Sequence, residues 1–172
     1  LLAAGEFILV AEASGLVIPL EQQVVQAVVA LLLSRPDLGP VSINVSAVQL
    51  GSPGWLDSFL ETIRNVDPRR IIVEVTETAM MSVVDDVADD LGRLRDLGVG
   101  VHVDDFGTGF SSISLLRELP VTGLKLDVSF VQNLTPDDSA ANALARGLAG
   151  LAHGLHLMTI AEGIEQEEQA TL

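Results

Sequence analysis

Five short apolar segments, each with a polar residue near its end, are spaced along this chain. Helical patterns separate the segments, and this alternation indicates a parallel sheet that is covered by helices. A polar side chain among apolar neighbours is costly to bury by itself, so the five polar residues need a common environment. The segments span residues 41–46, 71–77, 99–105, 122–127 and 157–162, and their polar residues are Asn44, Glu74, Asp104, Lys125 and Glu162.

These strand-end residues distinguish between two parallel-sheet architectures. In a (β/α) barrel, side chains at the carboxyl ends of the strands converge on one mouth, where such enzymes hold their active sites. An open doubly wound sheet would instead spread them along a line. The sequence therefore predicts an α/β protein with a TIM-like (β/α) barrel. A complete barrel needs more strands than these, so we expect residues 1–172 to be a single domain whose first and closing strands lie outside the sequence.

The segments between the predicted strands carry helix start and stop signals. Pro19 precedes a predicted helix over residues 20–34, since proline is favoured near a helix start. Ser82 is the predicted N-cap of a helix that ends at Gly98. Further helices are predicted over about 54–66 and 138–155, in a short segment before Pro120, and from near Gln166.

The composition is that of one acidic globular domain. The chain is 48% hydrophobic and has no cysteine, and its 24 acidic and 9 basic residues give a net charge of -15. This charge argues against a nucleic-acid polymer or an acidic membrane surface as partner, because proteins bind both of these through Lys and Arg. The longest apolar run, residues 24–33, is too short to span a bilayer. We therefore expect a cytoplasmic domain without direct membrane insertion, either by itself or as part of a larger, membrane-anchored protein.

The strand-end residues are mostly oxygen donors, the ligands that Mg²⁺ and Mn²⁺ prefer and that Ca²⁺ also accepts. The adjacent Asp104 and Asp105 can each take a different cation, which would relieve their mutual repulsion. Two such cations can hold a phosphodiester and activate a water, with Lys125 close to that water or to the phosphate. Gly107 and Gly109 allow a tight backbone turn beside the site. The pattern indicates a metal-assisted phosphoester hydrolase, although metal-dependent lyases and isomerases on barrels use similar donors.

Each candidate residue also has an ordinary structural explanation. Adjacent aspartates after a strand often cap a turn, and an asparagine in that position usually serves its own turn. Acidic residues such as Glu162 and Glu165 are favoured in the first turn of a helix. His102 has the same strand parity as Asp104, but a single histidine is usually a core or surface residue. The functional interpretation rests on five strands that end in the same way.

The chain resembles the EAL domain, the bacterial cyclic di-GMP phosphodiesterase. Five segments carry the resemblance in family order: "GEFILVAEASGLVIPLE", "INVSAVQL", "VEVTETAMM", "LGVGVHVDDFGTGFSSISLLRELPVTGLKLDVSFV" and "LMTIAEGIEQEEQ". The combination of "DDFGTGFSS", "LKLD" and "AEGIE" is highly specific. The resemblance implies a barrel hydrolase that uses Mg²⁺ or Mn²⁺ to open cyclic di-GMP to linear pGpG.

The resemblance also implies roles for individual residues. Lys125 would contact the attacking water, Glu162 would act near it as base or ligand, and Glu165 would support the site. Glu77 would steady the loop after Asp105, which includes Gly107, Thr108 and Gly109 and lies near a dimer interface in relatives. A homodimer and an upstream sensory or GGDEF domain are further expectations. The implied metal ligands are Asn44, Glu74 and Asp104 for the first cation, with Asp104 and Asp105 bridging to the second.

The chain departs from the family pattern in a few places. The Glu-Ala-Leu motif, whose glutamate is a metal ligand in active members, would precede "GEFILVAE" and is not in this sequence, nor is a nearby phosphate-contacting arginine. Phe110, Leu126 and Val128 replace residues common in the family without removing a donor. The alternative to an enzyme is therefore an inactive EAL-like module that binds cyclic di-GMP or a protein partner. The retained acidic residues favour the enzyme.

Overall fold

The computed structural model describes residues 4–107, 113–132, 134–135 and 139–171, which form an α/β fold. The strands are β1 (Val41–Asn44), β2 (Ile71–Thr76), β3 (Gly100–Phe106), β4 (Gly123–Leu126) and β5 (Met158–Ala161). The helices are α1 (Ala4–Ser14), α2 (Val17–Ser34), α3 (Ala47–Leu50), α4 (Trp55–Ile63), α5 (Glu77–Leu97), α6 (Ile113–Glu118), α7 (Val128–Val131), α8 (Ser139–Gly154) and α9 (Glu167–Thr171), with a 3₁₀ turn at Pro68–Arg70.

The five strands form one parallel sheet in the order β1-β2-β3-β4-β5, which is also their order along the chain. A doubly wound sheet would reverse its strand order at a switch point, whereas a barrel is wound in one direction. The topology therefore confirms the predicted TIM-like fold class. Among the described residues β1 and β5 do not pair with each other, so the sheet is an open arc.

Alternate side chains of each strand point to opposite faces of the sheet, and the two faces differ in character. The centre of the outer face is apolar and buried, as Val73, Val75 and Val101 are inaccessible to solvent. The inner face carries the polar residues of the predicted site, because Asn44, Glu74 and His102 share one register across β1, β2 and β3. Burial of the outer face thus orients the polar residues inward.

The five predicted strands are confirmed, but the helix prediction missed α1, α3 and α7 and misplaced the start of α5. Helix α1 was not predicted at all, although residues 4–14 are helical. Ser82 is not an N-cap: α5 begins at Glu77, and the Thr76 hydroxyl oxygen accepts a hydrogen bond from the Ala79 N–H at 3.3 Å. The other end of α5 agrees with the sequence, because Gly98 adopts a left-handed conformation with a φ of 96°.

Helix α2 is 18 residues long and apolar enough, by length and composition alone, to cross a membrane. It begins earlier than predicted, at Val17, and Pro19 lies in its first turn. In this structure it packs against α4 and β1, with Val25 and Leu32 in the common core. The same helix also places the carboxyl group of Glu21 in the interior, with 7% of the residue exposed.

Arg70 connects the end of α2 to the start of β2. Its guanidinium donates hydrogen bonds to the carbonyl oxygens of Leu32 (3.0 Å), Arg35 (2.7 Å) and Leu38 (3.0 Å). Replacing Arg70 by alanine is expected to lower the free energy of unfolding by about 1–3 kcal/mol, because carbonyls at a helix end lose a charged donor. Urea denaturation measures this change as a lower midpoint at an unchanged slope.

Arg64→Ala is the matched control for this prediction. The Arg64 guanidinium pairs with the exposed carboxylate of Glu61 at the protein surface. An exposed pair of this kind contributes less than about 1 kcal/mol, so its loss should hardly move the midpoint. Equal effects of the two substitutions would contradict the connecting role of Arg70.

Candidate functional site

Lys125 lies at the centre of an acidic cluster on the inner face of the sheet. Its Nζ is 2.9 Å from Glu74 Oε2, 2.8 Å from Asp104 Oδ1 and 2.7 Å from Glu162 Oε1. These residues come from β2, β3, β4 and the segment directly after β5. We call Glu74, Asp104, Asp105, Lys125 and Glu162 the Lys125 cluster.

Asp105 reaches the same cluster as its neighbour because the backbone of β3 is irregular there. Adjacent residues of a regular strand point to opposite faces of the sheet. Asp105, however, has a φ of 53°, and the pairing of β3 with β4 shifts register between Val103 and Phe106. A non-glycine residue in the left-handed region is uncommon and often marks a functional position. Here it brings two consecutive carboxylates to one site.

Burial and neighbouring charges shift the pKa values within the Lys125 cluster. Burial lowers the pKa of Lys125, but its hydrogen bonds to Asp104, Glu162 and Glu74 more than offset this effect, so the pKa is raised. Burial raises the pKa of the Asp105 carboxyl, and the negative charge of Asp104 raises it further. In the metal-free chain these contacts favour the protonated form of Lys125, which can donate hydrogen bonds.

The donor chemistry of the cluster fits a divalent cation. Single oxygen atoms of Asp104, Asp105 and Glu162 lie within 4.8 Å of one another. With Glu74, the cluster contains four carboxylates and one ammonium group, so it keeps an excess of negative charge. All of these donors are oxygens, the ligand type that hard divalent cations prefer.

Asn44 and Glu165, two further predicted site residues, are not part of the Lys125 cluster. Asn44 is the last residue of β1 and is in register with Glu74 on the neighbouring strand, so it lies at the same level of the inner face. Its side chain is exposed in the open arc. Glu165 is also exposed, and its backbone N–H donates to Gln169 Oε1 at 2.9 Å.

The backbone just after Asp105 is held from two sides. The Gly107 N–H donates a hydrogen bond to Glu77 Oε2 at 2.9 Å, and Glu77 is buried at the start of α5. Gly107 has a φ of 97°, and a Cβ atom there would lie only 2.4 Å from the Phe130 ring. Glycine is therefore required by both conformation and space. Thr108 and Gly109, the next predicted loop residues, lie outside the described residues.

His102, for which the sequence indicated either the face of Asp104 or an ordinary core or surface position, lies on the inner face. It is in register with Glu74, is 2% exposed, and its Nδ1 has no hydrogen-bond partner among the described residues. A Cβ at Gly123 would lie 2.4 Å from the imidazole ring, so glycine at that position makes room for it. Burial lowers the pKa of His102. Its strand parity with Asp104 was the sequence signal that indicated the inner face.

Comparison with known proteins identifies relatives of the whole chain. A model of the EAL domain family matches residues 1–172. Two curated relatives from Pseudomonas aeruginosa are the bifunctional diguanylate cyclase/cyclic di-GMP phosphodiesterase MucR, 33% identical, and the cyclic di-GMP phosphodiesterase NbdA, 34% identical. Each alignment covers 98% of this chain, but only 25% of MucR and 22% of NbdA. The chain thus spans about a quarter of the length of these relatives.

Solved structures give a consistent result. The structure of the PaMucR phosphodiesterase in complex with c-di-GMP has a TM-score of 0.92 at 32% identity, over 99% of this chain and 76% of that chain. The FimX EAL domain from Pseudomonas aeruginosa, bound to c-di-GMP, has a TM-score of 0.88 at 21% identity, over 99% of this chain and 69% of that chain. At that identity the second likeness supports the fold alone.

Proposed function

Because the chain belongs to the EAL domain family, we propose that it hydrolyses one phosphodiester bond of cyclic di-GMP and releases linear pGpG. The observation that carries this proposal is the Lys125 cluster, in which one ammonium group bridges three carboxylates at 2.7–2.9 Å. An acidic site of this kind cannot hold a phosphate by itself, so it needs divalent cations to do so. The names of MucR and NbdA as cyclic di-GMP phosphodiesterases support the choice of substrate.

We propose Mg²⁺ or Mn²⁺ as the cofactor, with two cations in the site. Asn44, Glu74 and Asp104 would hold one cation, and Asp104 and Asp105 would bridge to the second. When bound, the cations supply the positive charge that holds the phosphodiester and lowers the pKa of a nearby water. The spacing of the oxygens of Asp104, Asp105 and Glu162 supports this arrangement.

The chain's own residues would orient the water and move its proton. The Lys125 Nζ would donate a hydrogen bond to the attacking water. Glu162 Oε1, 2.7 Å from that Nζ, is the proposed proton acceptor. The water oxygen would form a bond to phosphorus while Glu162 takes the proton of that water. The bond from phosphorus to the ribose oxygen would break, and the ribose oxygen would take a proton from the solvent. Glu165 would support Glu162 from the segment after β5.

The loop after Asp105 would support the site from the other side. The hydrogen bond from Gly107 to Glu77 holds the start of that loop, and Thr108 and Gly109 would continue it. We propose that this loop also lies near a homodimer interface, so that dimer formation and the geometry of Asp105 would be linked.

We further propose that residues 1–172 form one EAL-like domain of a longer cytoplasmic polypeptide. In this arrangement a Glu-Ala-Leu strand and a closing strand complete the barrel, and a sensory or GGDEF domain lies upstream. Support comes from the open arc of the sheet and from the PaMucR structure. The match covers 76% of the PaMucR chain, so 24% of that chain lies outside it. The diguanylate cyclase activity in the name of MucR agrees with a GGDEF partner domain.

The direct test is the conversion of cyclic di-GMP to pGpG, followed by chromatography. The polypeptide should extend upstream through a Glu-Ala-Leu strand, and the reaction should contain Mg²⁺ or Mn²⁺. We expect pGpG to accumulate and its formation to stop when a chelator is added. If the extended polypeptide binds cyclic di-GMP without forming pGpG, the protein is a binding module and the proposed hydrolysis is wrong.

A further inference from the structure

A second polar site lies between α2 and α4, away from the Lys125 cluster. A cavity of about 110 Å³ is found there, large enough for several waters or a small organic group. Glu21 and three apolar side chains, Val25, Trp55 and Phe59, line it and are all buried. Its remaining lining includes the exposed residues Gln22 and Ser58. We call this cavity the Glu21 pocket.

Glu21 contributes a buried carboxyl group to this pocket. Gln49 Nε2 donates a hydrogen bond to Glu21 Oε2, and Trp55 Nε1 donates to the same oxygen at 3.3 Å. The ion pairs of the described residues do not include Glu21. Burial raises the pKa of Glu21 to about 7, with a smaller opposing effect from Trp55. A buried carboxylate with neutral partners alone is costly, and a cation would relieve that cost.

The walls of the pocket also suit an organic cation. Trp55 and Phe59 are stacked, with ring centroids 5.4 Å apart and an interplanar angle of 26°. Aromatic faces attract ammonium groups and also cover the alkyl carbons next to them. A carboxylate beside two aromatic rings therefore combines a charge-specific contact with an apolar one.

We propose that the Glu21 pocket binds a small organic cation of the primary-ammonium class. The ammonium group donates hydrogen bonds to the Glu21 carboxylate, and its alkyl part packs against Trp55 and Phe59. This site is separate from the phosphodiesterase site and does not depend on the hydrolysis proposed above.

Hydrogen bonds through Gln49 connect the Glu21 pocket to the segment that follows β1. Gln49, which donates to Glu21, accepts a hydrogen bond at its Oε1 from the Ser46 N–H at 2.7 Å. Ser46 follows Asn44 by two residues. A ligand that changes the charge state of Glu21 therefore changes the environment of both the Trp55 indole and the Ser46 amide.

The test uses the NMR signals of the 172-residue chain at neutral pH. Trp55 is the only tryptophan in the sequence, so its indole N–H signal is unambiguous and reports directly on Glu21. Titration with n-propylammonium chloride is compared with n-propanol and with sodium chloride at the same ionic strength. We expect a saturable shift of the Trp55 indole and Ser46 amide signals with propylammonium, and no comparable shift with the alcohol or the salt.

Two substitutions test the role of the carboxylate. Glu21→Gln keeps the shape of the side chain and should weaken the propylammonium response at least about tenfold, since a charge-assisted hydrogen bond is lost. Asp57→Asn is the matched control, because Asp57 lies on α4 with 79% of its side chain exposed. It removes the same charge near the pocket and should leave the response unchanged.

The proposal is overturned if propanol produces the same shifts as propylammonium, or if the shifts do not saturate. It is also overturned if folded Glu21→Gln protein responds like the unmodified chain. If that variant does not fold, the comparison of propylammonium with propanol on the unmodified chain decides. None of these signals depends on cyclic di-GMP turnover, so a failure here leaves the proposed hydrolysis unaffected.

Discussion

Asp104→Asn is expected to abolish metal-dependent hydrolysis of cyclic di-GMP, with a fall in kcat of roughly 10³-fold or more. Asp104 Oδ1 lies 2.8 Å from Lys125 Nζ and accepts a hydrogen bond from the Asp105 N–H at 3.0 Å. Asparagine retains one oxygen acceptor and nearly the same volume, but it removes the charge that a bridging ligand needs. Steady-state kinetics of pGpG formation measures the change, and circular dichroism verifies that the variant is folded.

Asp96→Asn is a suitable control for this substitution. Asp96 is exposed on α5 and pairs with Arg95, so its change should leave kcat within twofold or so of the original value. Cation binding provides a second readout, because Asp104→Asn should weaken it even where no turnover is seen. Undiminished hydrolysis by the Asp104→Asn protein would remove this residue from the proposed mechanism.

Lys125→Ala is expected to lower kcat by about 10²–10³-fold while changing KM much less. The Lys125 ammonium is assigned to the attacking water and not to substrate affinity, so its loss should be felt mainly in the transition state. Three carboxylates also lose their common cation, which should destabilise the folded chain in the absence of divalent ions. Added Mg²⁺ or Mn²⁺ should restore part of that stability without restoring kcat.

The effect of Lys125→Ala on the free energy of unfolding has a defined dependence on pH. The pKa of Lys125 is raised in the folded state above its ordinary value of 10.5. Its stabilising contribution is therefore fully present at neutral pH and is lost only in strongly alkaline solution. The difference in unfolding free energy between Lys125→Ala and the unmodified chain should be constant across neutral pH. An unchanged kcat in this variant would exclude Lys125 from the chemistry.

The sequence predicted the sheet well because its signals are local. Each strand is a short apolar segment with a polar residue at its end, and the five predicted segments contain all or most of the observed strands β1 to β5. The shared parity of His102 and Asp104 within their strand also indicated a common face, since side chains alternate along a strand.

The helical errors also have physical causes. Helix α1 carries apolar residues on several sides, and Phe7, Leu9 and Val10 are exposed, so no amphipathic pattern indicated it. At the start of α5, Glu77 was included in a predicted strand, although its polar side chain breaks the alternation of β2. The cap at Thr76 ends the strand one residue earlier, and this depends on where the chain must turn.

The sequence alone determined the alternation of strands and helices, the barrel class of the sheet, and the acidic oxygen donors at the strand ends. The tertiary structure shows how Asp105, which the sequence had already assigned to the same site as Asp104, reaches it: Asp105 is a left-handed residue at a register shift against β4. It also decided the contacts of Glu21, whose partners Gln49 and Trp55 are 28 and 34 residues away along the chain. Local patterns encode which face a side chain takes, whereas distances between elements arise only when those elements pack together.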